Sequence, residues 1–107
     1  MKKITFLPVI VLMLFVLSCK KNNTTNSNSN YSPTCSGIKS YSVDVKPIIQ
    51  ASCVGCHSGY GTYSGVSNDK TKIRSTIANG SMPKNGSLSN SQKDAIMCWI
   101  DAGAPNN

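Results

Sequence analysis

Cys53-Val54-Gly55-Cys56-His57 places two thiols two residues apart, with the only histidine of the chain directly after them. Thiols at this spacing can reach one edge of a porphyrin and add across its two vinyl groups as thioethers. A histidine in the next position is then held under the iron, where its imidazole is the proximal ligand. Gly55 leaves room for the macrocycle to lie close to the backbone. A C-x-x-C pair also serves in redox dithiols and in zinc sites. A redox dithiol sits at a strand-to-helix junction within a βαβ pattern, and none is present. A structural zinc needs four ligands, whereas Cys35 and Cys98 do not form a second close pair. The chemistry that fits is one covalently bound haem c, attached at Cys53 and Cys56 with His57 on the iron.

A six-coordinate iron needs a second axial ligand, and no second histidine exists. Outside the first 18 residues the methionine candidates are Met82 and Met97. Met97 lies in a helical pattern beside its apolar face, where methionine packs. Met82 lies in an irregular stretch, and Pro83 biases it toward an extended backbone, so Met82 is the expected ligand. The alternatives are a purely hydrophobic Met82 or a five-coordinate iron.

Three helices are predicted to position these groups. The first has Asp44 as N-cap and Pro47 in its first turn, where a missing N–H costs nothing. It runs through Ile48 and Ile49 into Cys53, with Val45, Ile48, Ile49 and Ser52 on one stripe. A loop follows, SGYGTYSGVSN, whose Tyr60 and Tyr63 either close the edge of the bound group or are partly exposed loop aromatics. The second helix is predicted over 70–78, capped by Asp69, with Ile73 and Ile77 as an i, i+4 pair and Asn79-Gly80 as its stop. Lys70, Lys72 and Arg74 form a solvated face or a docking patch. The third opens with the S-x-x-Q capping box Ser89-Asn90-Ser91-Gln92 and continues to about Ala102. Its core face carries Ile96, Trp99, Ile100 and Gly103, and Gly103 and Pro105 end it. No segment alternates with period two, so no sheet is expected and the fold class is all-α.

The 107 residues allow one small domain. Lys2-Lys3 and the apolar run at 4–17 form an export signal, too short for a stable membrane span. Val16-Leu17-Ser18-Cys19 resembles the bacterial lipobox. The resemblance implies cleavage after Ser18 and a lipidated Cys19; the alternative is an ordinary signal with Cys19 incidental. Residues 1–18 are thus a lipoprotein signal peptide. Residues 19–34, almost devoid of apolar side chains, are a flexible tether, and 35–107 are the folded domain. Fifteen flexible residues reach roughly 20 Å. Lys2 and Lys3 leave with the signal, so nine of the 11 Lys/Arg remain against four Asp and no Glu, about +5. Haem propionates offset part of this. The charge suits solubility, an acidic redox partner or an anionic lipid surface. Nucleic acid is excluded as a partner by export and by the lack of a basic stripe with interleaved aromatics. Export also permits a Cys35–Cys98 disulfide; otherwise Cys98 is a small buried residue and Cys35 is free.

Together, a helix entering C-x-x-C-H, a middle helix, a Met-Pro loop and a C-terminal amphipathic helix with an aromatic resemble a small class I cytochrome c over residues 41–104. The resemblance implies first and last helices that cross, with Trp99 at the crossing. It further implies about three main helices around one haem, held between His57 and Met82. The span from His57 to Met82 is short for the family, which makes this a minimal version of it. The implied function is a monomeric, membrane-anchored, periplasmic or outer-surface electron carrier without enzymatic activity. The alternative is a haem-based small-ligand sensor or peroxidase-like module with an open sixth position. A domain this small buries little apolar surface, so a bonded macrocycle is expected to supply part of the core. Cys19→Ala is expected to abolish incorporation of radioactive fatty acid and to give a soluble exported form or an unprocessed precursor. Cys19-independent labelling would contradict the anchor.

Overall fold

The computed structural model describes residues 30–107. The export segment 1–18, Cys19 and the tether residues 19–29 lie outside the described residues. Among those described there are helices and no strand. A π-helical turn, Tyr41–Val45, leads into α1, Lys46–Ser52. A 3-10 turn at Ser58–Gly61 precedes α2, Tyr63–Asn68. α3 spans Lys70–Ala78 and α4 spans Asn90–Asp101. No helix of the described residues is long and apolar enough to cross a membrane.

The first helical segment begins three residues before the expected cap. Ser40, extended at φ −94° and ψ 135°, accepts a hydrogen bond from the Val43 N–H through its hydroxyl. Asp44 is not the N-cap. Its carboxylate reaches back to accept from the Ser40 N–H at 2.7 Å, the reciprocal half of a capping arrangement. The remaining orphan donors find Asn107: the Tyr41 N–H donates to its side-chain oxygen at 2.8 Å and the Ser42 N–H to its backbone oxygen at 2.9 Å. A helix start needs such acceptors from somewhere, and here the far end of the chain supplies them.

α3 and α4 lie where periodicity puts them. Ser89 and Gln92 close the capping box in both directions. Gly80 takes φ 78° after α3 and Gly103 takes φ 100° after α4, a left-handed geometry that glycine adopts without a Cβ penalty. Asp69 precedes α3 but makes no side-chain cap, because its carboxylate accepts from the Tyr60 hydroxyl at 3.0 Å. The glycine-rich loop is a second departure: six of its residues form α2, so four helices replace the three expected. Thr62 caps α2 by accepting from the Gly65 N–H, and Val66 on its inner face has no exposed surface. Gly65 leaves no room for a side chain, since a Cβ there would meet the Gly59 carbonyl.

The core forms where α4 packs against the π turn and α3. Trp99, Ile96, Met97, Val45 and Val66 are fully buried and Ile49 nearly so. Tyr41 and Tyr63 pack on Trp99 at ring-centroid distances of 5.4 and 6.3 Å, and on each other edge to face at 5.2 Å. The indole N–H donates to the Pro105 carbonyl at 2.8 Å, and the Tyr63 hydroxyl donates to the Ala104 carbonyl at 2.8 Å. Tyr63 is therefore partly buried and packed against the core, at the start of α2 and not in a loop. Burial on this scale makes loss of the Trp99 side chain cost roughly 3–5 kcal/mol.

Cys35 and Cys98 are joined by a disulfide, Cα to Cα 5.5 Å, across a separation of 63 residues. Closing a loop of that length removes about 4 kcal/mol of unfolded-chain freedom on the chain-entropy account. The ordered chain also starts earlier than residue 35. The Tyr31 N–H donates to the Ala78 carbonyl at 2.6 Å, and its hydroxyl donates to Asp94 at 2.7 Å. The end of the expected tether is thus packed on the domain, because one aromatic there finds a built-in acceptor.

Arg74 of α3 grips Asp101 of α4 with two parallel hydrogen bonds, at 2.5 and 2.9 Å. The guanidinium holds the Asp101 carboxyl below the usual carboxylate range, chiefly by hydrogen bonding. A depressed folded pKa stabilises above the unfolded value and loses that contribution as pH falls through the folded one. Both side chains are more than a third exposed, so the pair is worth under about 1 kcal/mol. Asp101→Asn should lower the urea midpoint slightly at pH 7. It should converge with wild type near pH 2, below the usual carboxylate range. A constant difference across that range would contradict the assignment.

Candidate functional site

α1 ends by feeding straight into the cysteine motif. The Cys53 and Val54 N–H groups both donate to the Ile49 carbonyl, at 2.9 and 3.1 Å. The Cys53 carbonyl then accepts from the N–H groups of Cys56, at 3.2 Å, and His57, at 2.8 Å. This turn brings Cys53, Cys56 and His57 to the border of one cleft of about 320 Å³. The His57 carbonyl accepts from the Tyr60 N–H at 2.9 Å and starts the 3-10 turn. That turn lays the Tyr60 ring against the imidazole, with centroids 4.9 Å apart and planes within 17°.

The facing wall comes from α3 and the segment after it. Ile73, Ile77 and Leu88, all buried, line the cleft with Met82, while Lys72 and Lys84 stand at its polar margin. Met82 follows Gly80 and Ser81, where the chain doubles back over the end of α3. The Ser81 N–H donates to the Asn79 side chain at 2.9 Å, and the Met82 N–H donates to the Thr76 carbonyl at 3.2 Å. The Met82–Pro83 peptide bond is cis. The structure thus assembles Cys53, Cys56, His57 and Met82 around one cavity from two segments 25 residues apart. Met97 does not line it and is fully buried in the core.

Cys53 and Cys56 are free thiols, Cys53 half-buried and Cys56 exposed. Burial pushes the Cys53 thiol up, the reverse of the depressed value of a nucleophilic dithiol. No cluster of three or more His, Cys, Asp or Glu side chains suited to a metal ion occurs among the described residues. Haem attachment asks for a different arrangement: two thiols on a rim, an imidazole beside them, and a soft sulfur and apolar walls opposite. That donor set fits the residues present.

Of the two loop tyrosines, only Tyr60 borders the cleft. Burial first, then the hydrogen bond to Asp69 and its charge, push the Tyr60 hydroxyl up, so it stays protonated as a donor. Lys72 and Thr76 were not distinguishable from solvated α3 residues in the sequence. Their placement is legible afterwards: 72, 73, 76 and 77 lie on one helical face, and Ile73 and Ile77 mark that face as inward. No protein-family model matches the chain, and neither a curated protein nor a solved structure matches it.

Met97→Ala is expected to cost about 2–5 kcal/mol, the range for emptying a buried methionine site. Met82→Ala, at a half-buried position, should cost less. Equilibrium urea unfolding of both variants measures this, and equal losses would contradict the separate roles.

Proposed function

We propose that this chain is a monomeric, mono-haem c-type cytochrome that carries single electrons. One observation supports this above the others: the C-x-x-C-H motif and Met82, 25 residues further on, border the same apolar-walled cleft. Cys53 and Cys56 would hold the group by thioether bonds, and His57 and Met82 would hold its iron. One-electron exchange at iron is the chemistry a bound haem supplies at such a site.

The chain's own residues supply orientation and exclusion of water. Tyr60 fixes the His57 ring plane by stacking, while the Thr76 carbonyl fixes the backbone at Met82. A thioether ligand favours ferrous iron and raises the potential. Ile73, Ile77 and Leu88 keep the interior dry, which holds the two oxidation states in similar surroundings. Lys72 and Lys84 at the margin suit propionates or an acidic redox partner, since charge complementarity speeds encounter. With the lipobox-like sequence at Cys19, the reading is a membrane-anchored carrier on the periplasmic or outer surface. No general acid–base pair accompanies the cleft, so an enzymatic role is not part of the proposal.

Cys53→Ala or Cys56→Ala should each lose one thioether, and the double variant should lose all haem stain on denaturing gels. A pyridine haemochrome spectrum of the wild type should show c-type haem. Met82→Ala should lose the weak far-red sulfur-to-iron band, bind carbon monoxide when reduced, and have a lower potential. Stained haem in the double cysteine variant would sink the proposal. Rapid carbon monoxide binding by the wild type would favour a sensor or peroxidase-like module with an open sixth position.

A further inference from the structure

Residues 79–89 carry Met82 and Leu88 between the end of α3 and the cap of α4. Leu88 is buried, whereas Lys84 and the three residues after it are exposed. The loop tip is therefore held mainly by the Thr76 carbonyl on one side and by Leu88 on the other. How firmly Met82 is placed then depends on how firmly the two ends of the loop are kept together.

One residue touches both ends, and it comes from the segment expected to be a tether. The Tyr31 N–H donates to the carbonyl of Ala78, the last residue of α3, at 2.6 Å. The Tyr31 hydroxyl donates to the carbonyl of Asn90, the first residue of α4, at 3.3 Å and to Asp94 Oδ1 at 2.7 Å. The Thr34 N–H donates to the same Asp94 oxygen at 3.0 Å, and the Lys93 ammonium lies 4.9 Å from the centre of the Tyr31 ring. Four residues beyond Tyr31, the Cys35–Cys98 disulfide fastens this segment to α4. Burial, followed by the hydrogen bond and charge of Asp94, pushes the Tyr31 hydroxyl up to about 12, so it remains a donor at neutral pH.

We propose that Tyr31 is a positioning residue: it clasps the two ends of the 79–89 loop and thereby sets how tightly Met82 is held over the cleft. The link to iron rests on the reading of Met82 as axial ligand; the clasp itself does not. A Met82 that stays in place in both oxidation states is what separates an electron carrier from a ligand-binding module. The segment around Tyr31 would then help keep the Met82 sulfur at the cleft.

The test compares wild type, Tyr31→Phe, Tyr31→Ala and Asp101→Asn as full-length protein in detergent. Asp101→Asn disturbs the α3–α4 contact away from the clasp and controls for general destabilisation. Hydrogen exchange needs no haem. Amides of residues 80–88 should exchange about tenfold faster in Tyr31→Ala, the change one ordinary hydrogen bond gives. Amides of α3 and α4 should hold, and Asp101→Asn should not quicken the loop. In haem-loaded protein the same substitution should weaken the far-red sulfur band and speed carbon monoxide binding to the reduced form about tenfold. Tyr31→Phe loses the same hydroxyl bonds to Asn90 and Asp94 but keeps the ring under Lys93, so it should move both readings less, and it also serves if Tyr31→Ala fails to fold. Unchanged loop exchange in both Tyr31 variants overturns the clasp. Faster exchange with an unchanged band and carbon monoxide rate overturns its role toward Met82. If the wild type carries no covalent haem, the parent reading fails, and loop exchange still decides the clasp.

Discussion

Trp99 is the constraint on which the rest of the structure depends. Its side chain has no exposed surface and it meets Tyr41 from the π turn and Tyr63 from α2. Its N–H is satisfied by Pro105 beyond the helix end. A domain this small has few ways to bury so much apolar area. Seating Trp99 fixes where α4 lies against the π turn. Val45 and Ile49 follow it inward, and that sets the direction in which α1 delivers Cys53.

The cleft has two walls held by different means. The Cys53–His57 wall is secured by backbone hydrogen bonds continuing from α1 and by the stack of Tyr60 on His57. The Met82 wall is an irregular loop over α3, secured at its ends and by Leu88. Such loops open at lower free energy than packed helices. A site whose proposed task is to keep one sulfur in place over many cycles therefore depends on what restrains that loop. The Cys35–Cys98 disulfide and the Tyr31 hydroxyl both join the segment before the π turn to α4.

The Tyr41 hydroxyl is buried without a hydrogen-bond partner, and burial pushes it up, with the neighbouring Tyr63 adding to the shift. An unsatisfied buried hydroxyl carries a desolvation cost. Its ring packs against Tyr63 and Trp99.

Much of the local structure was legible because it depends on neighbours in the chain. The Ser89–Gln92 box, the stops at Gly80 and Gly103, the bounds of α3, and the inward face of Ile96 and Trp99 all follow from spacing. Nearness in sequence also put Cys53, Cys56 and His57 on one turn at the border of one cleft. Contacts between distant segments were a different matter. The sequence could not show that Asn107 supplies the acceptors for the first helical segment, or that Asp69 serves Tyr60 instead of α3. Nor could it show that Tyr31 joins α3 to α4. The short helix α2 was hidden because glycine and serine favour loops, and only the burial of Val66 and the packing of Tyr63 on Trp99 stabilise it. The choice of Met82 over Met97 as the sulfur at the cleft was argued from local backbone, but its placement there was decided by tertiary structure. A side chain's place in a cavity depends on how separate segments pack, and hydrophobic burial, which drives that packing, carries no direction along the chain.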